Sequence, residues 1–337
     1  IFTKNRSTGQ TAVCTASLVT GDSEQPAMVP APDGGVEQCL RELDAAAPLQ
    51  DLVLGAGDAR TYDGAAWCYG TVTLGAGFTL KCSAGNGAIQ IRCNRFIMEP
   101  GSAIDVTGCG FAGGAAMAAV RNGVGNVGGG PRGGRGGSGT HDYGNAGGGG
   151  GGGGGHATAG ETPEIAFLGG NRLGGVGGAV CGSALFEAGC LLGSGGGSGF
   201  PYSSFGRAAS DADSGKGGAG GGGIDIFARE FIEIKATAAL RANGSDGTAG
   251  AALYHSGGGG GSGGSILLRS PRIALDGMNA WGDGMLDCSG GRGGAAGPDY
   301  EQLDWGDICT CTHGGRGAPG RICIQTAPTS DLIARLA

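Results

Sequence analysis

The residues best equipped for chemistry in this 337-residue chain are its twelve cysteines: Cys14, Cys39, Cys68, Cys82, Cys93, Cys109, Cys181, Cys190, Cys288, Cys309, Cys311 and Cys323. No two are spaced CxxC, so zinc-ribbon and thioredoxin patterns are absent. Cys309-Thr310-Cys311 followed by His313 forms a CxCxH cluster. It reads as two disulfide cysteines beside a loop histidine rather than as a metal site, and no metal or cofactor is assigned. An even count with poor zinc spacing favours disulfides and an oxidising compartment, so all twelve are disulfide candidates. Cys82 and Cys93 are close enough in sequence to bridge adjacent turns. Cys181 and Cys190 bracket a short loop, and the last four cysteines cluster late in the chain. The pairing itself stays open. Asn5-Arg6-Ser7 and Asn243-Gly244-Ser245 are sequons that make Asn5 and Asn243 glycosylation candidates.

Carboxylates are the second reactive class. Asp105, Asp225, Asp276 and Asp287 fall at alternate positions to apolar neighbours and would face outward from a strand. Paired carboxylates on such a face can cleave a glycan by acid–base chemistry. Solvated strand surface is the favoured reading. Asp211, Asp213 and Asp246 read as polar turns rather than cation ligands. There is no G-x-S-x-G elbow. Gly215-Lys216-Gly217 lacks the Walker spacing, and GxGxxG matches carry no weight in a chain with 82 glycines. The expectation is that the chain is not an enzyme.

The elements that must hold these residues are short and repetitive. Residues 1–33 form a polar N-terminal extension. Residues 34–110 hold a helix and strand-like runs, 111–222 are a glycine-rich insertion, 223–326 return to strand-like blocks with glycine loops, and 327–337 form a tail. Val36, Leu40 and Leu43 lie on one face of a helix, with Asp33 near its start as a cap. Three apolar-alternating runs then recur as a unit. The first has Ala88-Ile89-Gln90-Ile91-Arg92, Phe96-Ile97-Met98 and Ala103-Ile104-Asp105-Val106; the second starts at Gly223-Ile224-Asp225-Ile226 and the third at Ser265-Ile266-Leu267-Leu268. Three short strands in about 20 residues is a solenoid period. The expected fold is all-β: a parallel β-solenoid, or right-handed β-helix, with an N-terminal cap helix over its open end and long glycine-rich insertions. A β-sandwich is the alternative.

The helix followed by Leu52-Val53-Leu54-Gly55-Ala56-Gly57 resembles the start of pectate-lyase-like right-handed β-helices. Gly263-Gly264-Ser265-Ile266-Leu267-Leu268 and the block from Gly314 to Ile324 resemble glycine-rich β-solenoid repeats of bacterial and algal surface proteins and phage fibres. The cysteines depart from the bacterial and phage pattern and point to a eukaryotic secreted protein.

Two readings are open for the glycine runs, which include the unbroken stretch 147–155. They are flexible loops, or ordered extended helices packed side by side, as in polyglycine II, where only glycine lets backbones approach. Net charge is −7 with no basic block, which argues against nucleic acid. No apolar run is long enough for a membrane span. Together these features imply a secreted structural subunit of an extracellular filament, appendage or surface coat. It would assemble with itself or related chains through its ends and tails, with residues 12–20 and Asp331-Leu332-Ile333-Ala334-Arg335-Leu336 adding strands to a neighbour. The second expectation is an adhesin whose Tyr143, Phe200, Tyr202, Phe205 and Tyr254 stack on glycans. The third is a polysaccharide-cleaving enzyme.

Overall fold

The computed structural model describes residues 2–4, 11–13, 36–58, 61–82, 87–117, 123–142, 145–163, 174–181, 192–201, 214–251, 255–276, 285–297 and 310–326. In chain order these hold β1 (Phe2–Lys4), β2 (Thr11–Val13), α1 (Val36–Ala45), β3 (Leu52–Leu54), β4 (Trp67–Leu74), β5 (Thr79–Lys81), β6 (Ala88–Met98), β7 (Ala103–Asp105), β8 (Gly123–Val124) and β9 (Ser138–Asp142). Then come β10 (Asn145–Gly148), β11 (Gly223–Ile234), β12 (Ala239–Arg241), β13 (Ser265–Arg269), β14 (Ile273–Leu275), β15 (Leu286–Asp287), β16 (Thr310–Cys311) and β17 (Arg321–Gln325).

Two parallel sheets carry the apolar core. One runs β17-β13-β11-β6-β4-β3, with β14 also on β11; the other runs β15-β12-β7-β5. Register obeys the alternation: Ile89 pairs with Ile224, Ile224 with Ile266, and Ile266 with Ile322. In the second sheet Leu80, Ile104, Leu240 and Leu286 stand in one row. All eight of these side chains are buried in a single cluster. Like residues stack on like because each unit repeats the same inward positions, and each buries its apolar face only against the next.

The β-solenoid expectation is corrected by this arrangement. The core strands form two parallel sheets, the remaining strands form a smaller sheet β16-β10-β9-β8 and the antiparallel pair β1-β2, and no closed solenoid coil is found among the described residues. Two of the three runs in the first unit fuse into β6, and the same two fuse into β11. The third run becomes the short β7 or β12 of the second sheet. Beyond that third run the chain is glycine-rich, with no apolar alternation from which a further strand face could be built.

The helix also sits elsewhere than expected. It does not cover an open end. Its contacts are with β6, β11 and β4. Buried Cys39 and Leu43 pack on Phe227, with Val36, Leu40, Leu49 and Cys68 around them. β11 is apolar on both faces at Ile226-Phe227, so its outer face needs a cover, and the amphipathic helix supplies one. The edge strand β3 is left with Val53 69% exposed.

Candidate functional site: a glycine bundle beside a buried ion cluster

Past β7 the backbone leaves the two core sheets and, apart from the short strands β8, β9 and β10, runs as extended segments joined sideways until β11. Along residues 151–155 successive N–H groups donate in different directions, at 2.9–3.0 Å: Gly151 to Gly257, Gly152 to Arg135, Gly153 to Glu161, Gly154 to Gly260 and Gly155 to Arg132. Every third residue therefore returns to the same neighbour, the three-residue period of a polyproline-II-type helix. The carbonyls do likewise: Gly151 accepts from Gly315, Gly152 from Gly197 and Gly153 from Gly178. The segment thus bonds to six others, three through donors and three through acceptors. Residues 257–264 have the same surroundings, donating to segments around 312–318, 242–248 and 194–197 and accepting from those around 151–154, 215–221 and 291–297. Buried backbone polar groups must find partners, and here neighbouring segments provide them without a sheet.

Such spacing excludes side chains. A Cβ on Gly153 would stand 1.8 Å from the Arg316 carbonyl oxygen, and one on Gly259 would stand 2.1 Å from that of Gly152. Serine enters only where its hydroxyl joins the network. Ser198 Oγ accepts from the Asn126 N–H at 2.8 Å, Ser262 Oγ accepts from the Ser194 N–H at 2.8 Å, and Ser256 Oγ donates to the Gly148 carbonyl at 2.6 Å. All four of Ser194, Ser198, Ser256 and Ser262 are fully buried. At the sheet boundary buried His156 places Nε2 3.3 Å from Ser265 Oγ.

Segments at the rim need glycine only on the inward third. Gly291, Gly294 and Gly297 are buried and donate to the carbonyls of Gly261, Gly258 and His255, while Arg292 and Ala295 between them are exposed. Gly244 and Gly250 are buried on the same logic, with Asp246 and Thr248 outside. This three-residue spacing was the overlooked sequence signal. Unbroken glycine marks a segment surrounded on all sides, and one glycine in three marks a segment with solvent on two.

A second feature lies under α1. Arg92, Phe227 and Arg269 form one row across β6, β11 and β13, and Asp225 stands two residues before Phe227 on the same face. Asp225 accepts from Arg92 Nη2 at 2.7 Å and from Arg269 Nη2 at 2.7 Å, while Arg92 Nε reaches Glu42 of α1 at 3.2 Å. Arg92, Asp225 and Arg269 are each buried. Burial acts to lower the Arg92 pKa, but Asp225, Cys39 and Glu42 beside it outweigh burial and raise it. Burial pushes the Cys39 thiol up despite Arg92 nearby, and pushes Cys323 up to about 11. The cluster clamps α1 to three strands through charges that satisfy one another. A separate groove of about 420 Å³ is lined by Asp51, Thr71, Asn94, the exposed Arg95–Glu230 ion pair and neighbours, and by none of the cluster's residues.

The structure scatters the carboxylates singled out by the sequence. Asp225 belongs to the ion cluster rather than to solvated strand surface. Asp105 caps its own turn by accepting from the Thr107 N–H at 3.0 Å. Asp287 accepts from Asn243 Nδ2 at 2.9 Å, and Asp276 is exposed after β14. The Asn243 amide nitrogen is thus engaged with Asp287, and its oxygen accepts from the Ser289 N–H at 2.8 Å. Asp246 accepts from the Arg292 N–H at 2.7 Å, binding two rim segments together. No group of three metal-ligating side chains occurs among the described residues. His313 Nδ1 accepts from the Ala296 N–H at 3.1 Å.

Among the described residues no disulfide joins any of Cys39, Cys68, Cys82, Cys93, Cys109, Cys181, Cys288 and Cys323. The bridge expected between Cys82 and Cys93 does not form: Cys93 is buried in β6 with its thiol at 3.7 Å from the Phe227 carbonyl. Phe200 has no exposed surface, so it anchors the bundle and presents no face to a sugar. Cys14, Cys190, Cys309, Asn5, Asp211, Asp213, Tyr143, Tyr202, Phe205, Tyr254, the Asp33 cap, the side chain of Cys311 and the C-terminal tail lie outside the described residues. No helix among the described residues is long and apolar enough to cross a membrane.

No protein-family model, no curated protein and no solved structure matches this chain, so the likeness to pectate-lyase-like β-helices rests on the quoted motifs alone.

Proposed function

We propose that the chain is a structural subunit or segment of an extracellular filament, appendage or surface coat, joined to its neighbours through its ends and tails. The glycine bundle is the observation that carries this reading. Its backbones are hydrogen-bonded in six directions, and its interior runs 149–155, 193–199 and 257–264 carry no side chain but serine. Ordering glycine costs more backbone entropy than ordering any other residue. That cost makes sense in a protein whose task is to be stiff and compact. The terminal strand β3 adds to the case: among the described residues it pairs only with β4, and Val53 stands exposed on it. An exposed apolar edge strand is a template for a further chain.

The test is negative-stain electron microscopy and sedimentation velocity of the protein prepared without reductant, over a range of concentration. The expected result is filaments with a regular axial repeat, and a mass that grows with concentration. Discrete monomers at every concentration overturn the reading. If those monomers bind a glycan array saturably, the adhesin reading takes its place.

A further inference from the structure

Three described cysteines, Cys68, Cys82 and Cys109, are partly exposed, whereas Cys39, Cys93, Cys181, Cys288 and Cys323 are buried. Cys68 packs under α1, on the outer face of the seven-stranded sheet. Cys82 and Cys109 both pack against the inner core cluster, on the side of the second sheet. The backbone explains how they meet. Cys82 directly follows β5, and Lys81 of β5 pairs with Asp105 of β7. Beyond Asp105 the chain turns at Val106 to Gly108, where Gly108 adopts a left-handed φ of +68°. The Cys109 N–H closes that turn on the Val106 carbonyl at 3.1 Å. The turn carries Cys109 back toward the end of β5, which places it beside Cys82. Cys109 Sγ also lies 3.7 Å from the Thr107 carbonyl oxygen, which fixes its orientation.

We propose that Cys82 and Cys109 are an oxidative cross-linking site, forming a disulfide that ties the second sheet to the first glycine segment. The co-reactant is a small-molecule disulfide such as oxidised glutathione. One thiolate attacks a glutathione sulfur, releasing one reduced glutathione and leaving a mixed disulfide. The second cysteine then attacks the protein-bound sulfur and expels the second reduced glutathione. Two protein thiols lose two hydrogens, and the two electrons reduce one disulfide to two thiols. Burial, together with the weaker effect of Cys82 beside it, pushes the Cys109 thiol up to about 12, so Cys109 rests as a thiol until an oxidant arrives.

Tryptic peptide mapping tests this on the intact chain without any variant. Cleavage places Cys82 alone in peptide 82–92 and Cys109 alone in peptide 96–121. The folded protein is incubated with oxidised glutathione, alkylated and digested. The expected product is peptide 82–92 joined to 96–121, two hydrogens lighter than their sum and separated by reductant. Recovery of both peptides only as separate alkylated or glutathionylated species overturns the proposal, as does Cys82 joined mainly to another cysteine. In Cys109→Ala, Cys82 is expected to stop at the glutathione adduct.

Discussion

Replacing one interior glycine by alanine tests the bundle most sharply, and Gly259 is a suitable position. A Cβ there stands 2.1 Å from the Gly152 carbonyl oxygen and 2.5 Å from its carbon. Real Cβ contacts do not fall under 3.0 Å, so one segment must retreat by about 0.9 Å. The Gly152 carbonyl accepts from the Gly197 N–H at 2.9 Å, and the Gly259 N–H donates to the Gly197 carbonyl at 2.8 Å. A retreat of that size takes both bonds outside good geometry. Each lost bond with its groups left buried costs about 1–3 kcal/mol. Alanine returns about 0.4–1 kcal/mol by restricting the unfolded chain. The net expectation for Gly259→Ala is a loss of about 1–6 kcal/mol, or about 1–8 °C in Tm for a chain of this size. Gly57→Ala is the matched control, because its Cβ meets nothing within 4 Å. It is expected to leave Tm unchanged or slightly raised. Thermal unfolding of both variants by circular dichroism and calorimetry reads the difference. Equal melting of Gly259→Ala and Gly57→Ala would refute the reasoning, because a flexible glycine loop makes no distinction between the two.

The other expectations concern the ion cluster and the thiols. Asp225→Ala leaves Arg92 and Arg269 buried without their shared carboxylate, and should cost about 3–5 kcal/mol by denaturant unfolding; a loss under about 1 kcal/mol contradicts the clamp. Asp44→Ala breaks the exposed Arg229–Asp44 pair and should cost no more than about 1 kcal/mol in the same assay. Cys323, held at about 11 by burial against an ordinary 9.0, stays protonated in the fold while the unfolded chain ionises. The unfolded state therefore binds fewer protons between those values, and stability, full below pH 9, falls as pH rises through 11, by up to about 2–3 kcal/mol from this one group. Unfolding curves from pH 8 to 11 should show a decline to which the other raised thiols also contribute, and Cys323→Ala should make it shallower; an unchanged slope in the variant refutes the assignment.

Alternation made the strands legible. Ile89, Ile91, Ile224, Ile226, Ile266, Leu268, Ile322 and Ile324 are the buried rows of the core, and the apolar stripe of the helix that Leu43 belongs to is buried against the sheet. Their closure was not legible. The pattern gives a strand's faces but not how many strands a unit contributes. The two runs on either side of residues 227–230 became one bulged strand, β11, whose register shifts between Ala228 and Phe231. The helix position was half legible. An amphipathic stripe says that a face is buried but not against what. The missing clue was Phe227 beside Ile226, which makes β11 apolar on both sides and in need of a cover. Asp225 looked like surface for the same reason: its outward face is the one that α1 covers. In the glycine regions the signal was present but of the wrong period for helix or strand. Gly291, Gly294 and Gly297 repeat every three residues, and a search for periods of 3.6 and 2 passes over them.

Amide hydrogen exchange, read by mass spectrometry across residues 147–156, 193–199 and 257–264, tests the glycine bundle directly. Unprotected glycine amides are among the first to exchange, and a hydrogen-bonded interior opens only with the structure around it. The account requires these three segments to exchange as slowly as the core strands β6 and β11. Exchange at the rate of an unstructured chain, with β6 and β11 still protected, would contradict it.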